Sequence, residues 1–201
     1  MPRRPFPPLR GGIAYYNAQL ALELNIRHEI VLISFSRQYP ALLFPGRTQF
    51  GQDPPPQRLA AETLLDSINP VSWLYAGRRI TEIAPDLTVV HWWHPFFSPC
   101  LGIALRRAAR RSRNRVLFIC HNVVPHEPFP LARGLSRFAL TAGDAWLVHS
   151  ESDRRALQSL NLRATPWLSP NLRGKDSANR STKRRPRNAL VLRGRFYSSS
   201  A

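Results

Sequence analysis

Hydrophobic positions follow two rhythms along this chain, and the two take turns. One is the short unbroken apolar run of a strand covered on both faces, and the other is the spacing of three and four that marks a helix face. Gly12 opens a helical pattern in which Ile13, Tyr16, Leu20 and Leu24 recur. His28 to Phe35 then reads as a buried strand. After the stiff Pro54-Pro55-Pro56, Gln57 to Ile68 places Leu59, Thr63 and Leu64 on one side and predicts a helix. Asn69-Pro70 punctuates it and starts a further helix, Pro70 to Ile83, whose predicted packed face is Trp73, Leu74, Gly77, Ile80 and Ile83.

The alternation continues. Leu87 to Val90 predicts a second buried strand, which runs into His91-Trp92-Trp93-His94. Ser98-Pro99 has the pattern of an N-cap followed by proline in the first turn. The helix it opens, to about Ser112, buries Leu101, Ala104, Leu105 and Ala108 and covers its other side with Arg106, Arg107, Arg110, Arg111 and Arg113. Arg115 to Ile119 is the third strand. A helix with Leu131, Leu135, Phe138 and Ala142 follows, then a strand from Asp144 to Val148. Ser150 and Asp153 form a capping-box pattern for a last helix through Leu160. Strand and helix in strict turn predict an α/β, three-layer, Rossmann-like domain with a mostly parallel sheet.

The ends break the pattern. Residues 1–10, rich in Pro and Arg, offer no strand, and Ser169 to Asn188 offers almost nothing apolar. Such a segment cannot bury enough surface to offset its chain entropy, so it reads as a linker or as disordered. Ala189 to Leu192 is the one strand candidate beyond it. The predicted organisation is a basic, Pro-rich remnant over 1–10, a domain over 11–168 and a basic tail over 169–201.

Charge sharpens this division. The formal net charge is +17, and residues 171–201 hold nine Lys or Arg against one acid, so about half the excess lies in the tail. A basic surface suits nucleic acid, acidic lipid headgroups or phosphorylated substrates. No run approaches the roughly 18 apolar residues of a membrane span, and the N-terminus lacks the apolar core of a signal peptide. The expected location is therefore cytoplasmic, including the inner face of the membrane. Cys100 and Cys120 lie in apolar contexts and read as structural thiols.

The candidate chemistry sits where apolar runs stop. In an open parallel sheet ligands bind beyond the carboxyl ends of the strands, and three strands here end in polar groups. These are His91 and His94, then His121 and Asn122, then His149 and Ser150. His121 stands out, because Asn122 and a proline-bearing loop with His126 and Glu127 follow it directly. Gly11-Gly12 at a helix start frees backbone N–H groups for a phosphate. No metal site is expected: the hydrolase pattern of two histidines four apart on a helix around a glutamate is absent, and Pro95 follows His94. A Ser-His-Asp triad lacks its Gly-x-Ser-x-Gly turn. A nicotinamide site lacks the three-glycine fingerprint and its downstream acid.

Five segments, Gly11-Gly-Ile-Ala-Tyr-Tyr16, Asn69-Pro-Val-Ser-Trp73, Pro85-Asp-Leu-Thr-Val-Val-His-Trp-Trp-His-Pro-Phe-Phe97, Cys120-His-Asn-Val-Val-Pro-His-Glu127 and Val148-His-Ser-Glu-Ser152, resemble the N-terminal domain of glycosyltransferase family 4 in unbroken order. The resemblance implies one half of a GT-B fold, in which two Rossmann-like domains face each other across a cleft. It implies retaining transfer of a sugar from a nucleotide-sugar, which is a substrate and not a cofactor, to a sugar or lipid-linked acceptor, as in surface polysaccharide synthesis. By the same likeness Gly11 and Gly12 match the loop at the donor diphosphate and His121 matches the histidine beside the reacting sugar carbon. His91 and His94 match positions that approach the acceptor, and Glu127 and Ser150, with Asn122 beside His121, are further candidates for the cleft. Family members begin with a strand before the glycine loop and carry a donor domain with two glutamates eight apart. Neither is found in this sequence, so the resemblance implies a truncated enzyme, inactive alone. The alternative reading is a basic nucleic-acid-binding module, but the body arginines lie on helix faces without interleaved exposed aromatics.

Overall fold

The computed structural model describes residues 4–5, 12–40, 60–109, 114–123, 130–162, 167–168 and 189–193. In chain order these form β1 (Arg4–Pro5), α1 (Gly12–Asn25), β2 (Glu29–Arg37), β3 (Ala60–Asp66), α2 (Pro70–Ile83), β4 (Leu87–Trp92), a 3-10 turn (Pro95–Phe97), α3 (Ser98–Ala109), β5 (Arg115–Cys120), α4 (Ala132–Leu140), β6 (Ala145–Val148), α5 (Glu151–Ser159), β7 (Trp167–Leu168) and β8 (Ala189–Arg193). One sheet takes the order β1-β3-β2-β8-β4-β5-β6-β7. The pairs β2/β3, β4/β5, β5/β6 and β6/β7 are parallel. β8 lies between β2 and β4, antiparallel to both, and joins the two parallel blocks. The fold is thus α/β and Rossmann-like, as the alternation predicts.

Period-two alternation sorts the strand residues onto two faces. Val90, Trp92, Phe118, Cys120, Trp146 and Val148 pack with the buried faces of α2, α3, α4 and α5. On the other face Val89 and Ile119 pack with Ala18 and Ala21 of α1. α2 starts where Asn69 caps it, its side chain accepting from the N–H of Val71 at 3.0 Å, and Pro70 fills the first position. Trp73 anchors it by donating Nε1–H to the carbonyl of Asp66 at 2.6 Å, and Arg79 reaches back to Glu62 of β3 at 2.8 Å. α2 and α3 approach so closely that a Cβ on Gly77 would lie 2.6 Å from the carbonyl oxygen of Ala104. Cys100 and Cys120 are free and buried, and desolvation pushes the Cys100 thiol up to about 12.

Several sequence expectations are corrected. Gln57 to Ile68 is not a helix: its described part contains β3, which pairs with β2. A register shift between Ser34 and Phe35 breaks the alternation opposite it, leaving Ala61, Leu64 and Leu65 at spacings that imitate a helix. Arg4–Pro5, within a segment read as having no strand, pairs antiparallel with the β3 edge. Such a position tolerates proline because an edge strand leaves one row of N–H groups unused. Ser98 is the first residue of α3 and not its cap, since the 3-10 turn runs straight into it. On α4 the buried residues are Ser136, Ala139 and Leu140, whereas Leu131 and Phe138 are exposed. Phe138 packs sideways instead, under the guanidinium of Arg106, 4.1 Å from the ring centre. Leu74 of α2 is exposed and Ala76 takes its place in the core.

Candidate active site

The register of β4, β5 and β6 aligns Trp92 with Cys120 and Cys120 with Val148, so the three strands stop level with one another. The ladder runs one step further, the N–H of His121 donating to the carbonyl of Trp92 at 2.8 Å. Ile119 and Leu147 face α1, and by alternation so do the residues two further on, His121 and His149. His91, two beyond Val89 on β4, takes the same face. Three neighbouring strands therefore deliver three imidazoles to one patch under α1.

The rings are in contact. Nδ1 of His91 and Nε2 of His121 are 2.9 Å apart, and the two rings are nearly parallel. The His149 ring centre lies 5.1 Å from that of His121. Tyr16 of α1 closes the group edge-on, with centroids 5.5 Å from His121, 5.9 Å from His149 and 6.2 Å from His91. Exposure is graded. His91 is 1% exposed, His121 and His149 are half-buried, and Tyr16 is 38% exposed. Burial depresses the pKa of His149, with Asp153 opposing it, and burial raises that of the Tyr16 phenol. Tyr16 is thus a neutral hydroxyl at ordinary pH.

The other predicted residues fall around this group or outside it. Gly12 begins α1, one turn before Tyr16, so the first N–H groups of the helix lie at the same edge. Asn122 is half-buried and held between anchored neighbours, because Val123 donates its N–H to Oδ1 of Asp153 at 2.9 Å. His94 caps the 3-10 turn, its Nδ1 accepting from the N–H of Phe96 at 3.1 Å. Ser150 caps α5, accepting from the N–H of Asp153 at 3.0 Å and donating to its carboxylate at 2.6 Å. Gly11 and Glu127 lie outside the described residues. Among the described residues no three His, Cys, Asp or Glu side chains are grouped to hold a metal ion.

Two members of the group are not among the site residues expected from sequence: Tyr16 reads there as part of a helix face and of the Gly11–Tyr16 segment, and His149 as a polar strand end beside Ser150. Parity from Leu147 marks His149, not Ser150, because only every second residue faces α1.

Among the described residues no helix is long and apolar enough to cross a membrane. No curated protein and no solved structure matches the chain. The sequence does match the family model Glycosyltransferase Family 4 over residues 10–167, a stretch that includes the glycine pair, α1 and all three histidine-bearing strand ends. The chain belongs to glycosyltransferase family 4.

Proposed function

We propose that this chain forms the acceptor-side wall of a retaining, metal-independent glycosyltransferase that moves a sugar from a nucleotide-sugar to a sugar or lipid-linked acceptor. The observation that carries this reading is His121 at the carboxyl edge of the sheet, in contact with His91 and His149 under Tyr16, in a chain of this family. Half-buried His121 meets an acceptor hydroxyl as a hydrogen-bonding group that orients it, and the Tyr16 hydroxyl is a second polar group at the same mouth. The start of α1 at Gly12 offers N–H groups to the donor diphosphate. A helix end contributes only about 0.3–1 kcal/mol at an exposed site, so it assists diphosphate binding and does not dominate it.

The described residues supply one wall of such a cleft. We infer that transfer requires a second, donor-binding unit and that the chain alone transfers sugar slowly or not at all. The net charge of +17 fits an acidic or lipid-linked acceptor at the inner face of a membrane, in glycan or surface polysaccharide synthesis. The test is NMR titration of the purified chain with nucleotide-sugars and with acidic oligosaccharide and polyprenyl-phosphate-sugar acceptors. Shifts centred on Tyr16, His121 and His149 with an acceptor are expected, together with no turnover. Absence of any shift would remove the acceptor assignment, and enzyme-like turnover by the chain alone would remove the need for a second unit.

A further inference from the structure

We propose that His91 is a positioning residue that fixes the tautomer of His121 through the Nδ1 to Nε2 hydrogen bond, so that the two imidazoles act as a unit holding at most one extra proton. This rests on the reading of His121 as the group that meets the acceptor. At 1% exposure His91 lies too deep to touch an acceptor, so any influence it has on the bound molecule passes through His121.

The chemistry follows from the contact. A neutral imidazole carries one N–H and one lone pair. Two ring nitrogens at 2.9 Å form a hydrogen bond only if one carries a proton and the other does not. Which ring donates is set by what the other nitrogen of buried His91 meets, and the contact passes that choice on to Nε2 of His121. Nδ1 of His121 then has the opposite role, a lone pair if Nε2 holds the proton and an N–H if it does not. An unrestrained histidine would exchange these forms, and an acceptor hydroxyl would meet a mixture. Adding one proton keeps the hydrogen bond, because the cationic ring donates to the neutral one. Adding a second protonates both facing nitrogens, sets two N–H groups head to head and opens the contact.

The surroundings reinforce this limit. From α1 the pair meets the Tyr16 phenol, neutral at ordinary pH, and from the end of β6 it meets His149, which burial disposes to stay neutral. Asp153 of α5 acts on His149, where its charge opposes the effect of burial, and its oxygens accept from Val123 and Ser150.

The experiment is 15N NMR of the imidazole rings in the full chain across pH 4.5–8.5, a range of about two units either side of ordinary histidine. In the wild type the expected His121 spectrum at high pH is that of one pure tautomer, and His91 and His121 together take up one proton before the native fold is lost. In His91→Phe, which keeps an aromatic ring of similar size without the nitrogen, the His121 shifts should move to those of a tautomer mixture and its titration should stand alone. A tautomer mixture in the wild type, or two independent protonations there, overturns the proposal even if the variant does not fold. An unchanged His121 tautomer in a folded His91→Phe variant overturns it equally. These readouts need no turnover: a pure tautomer with no acceptor binding leaves the pair standing and removes the acceptor reading, whereas binding with a mixture does the reverse.

Discussion

Val123 donates its backbone N–H to Asp153, thirty residues later, at 2.9 Å. Asp153 also takes the Ser150 hydroxyl on its other oxygen, and its own N–H is capped by Ser150. One carboxylate thus fastens the turn after β5, where His121 and Asn122 sit, to the start of α5.

That dual role predicts an uneven pair of substitutions. Asp153→Ala removes the partner of a buried segment's N–H and weakens the helix start, and the expected loss is about 2–4 kcal/mol. Asp153→Asn keeps an acceptor for Val123 and should lose less than half as much. Urea unfolding of both variants measures this, and equal losses would mean that the carboxylate charge, not the Val123 contact, dominates.

The α2–α3 contact predicts a cost for a single methyl group. Gly77→Ala sets a Cβ against the Ala104 carbonyl and the side chain of Arg107, both under 3 Å away, neither with room to yield inside a helix pair. Destabilisation of about 1–3 kcal/mol is expected in thermal or urea melts. Gly134→Ala is the control, because nothing lies within 4 Å of its Cβ position, and it should be neutral or slightly stabilising.

β8 predicts a large effect from a position far along the chain. Val191 pairs with both Val31 and Thr88, in the seat between the two parallel blocks. Val191→Pro removes an N–H from a strand flanked on both sides and should cost several kcal/mol, where an edge strand would tolerate it. Hydrogen exchange should also find the amides of β8 protected in the wild type. A Val191→Pro variant that melts with the wild type would show that the two blocks hold together without β8.

Acid should weaken the fold through His149. Its folded pKa lies below the ordinary 6.5 because burial disfavours the charged ring, so the unfolded chain binds the proton more readily. The contribution is fully present above pH 6.5 and is lost as pH falls from there toward the folded value. The slope from this one group cannot exceed about 1.4 kcal/mol per pH unit. His149→Gln should flatten the pH dependence of the unfolding midpoint between pH 5 and 7, a window on either side of an ordinary histidine pKa.

Much of the core was legible in the sequence because local pattern and tertiary demand agree there. The runs at Ile30 to Phe35, Leu87 to Val90 and Val116 to Ile119 are apolar on both faces because both faces are covered, and α2 is announced by Asn69-Pro70. β3 was not legible, because its alternation is broken by an irregular register with β2 that no local residue announces. The α4 face was not either, since Phe138 packs sideways under Arg106 and leaves the core to smaller residues.

The sequence alone determined that strands and helices alternate and that polar groups gather where His91, His121 and His149 end their strands, because periodicity and strand polarity are local properties of the chain. Only the tertiary structure decided that His91 lies buried against His121, that Tyr16 closes over the group, that His94 caps the 3-10 turn, and that β8 enters the middle of the sheet. Each of these depends on strand register and on which face a helix covers, and both are settled by packing between residues far apart in sequence.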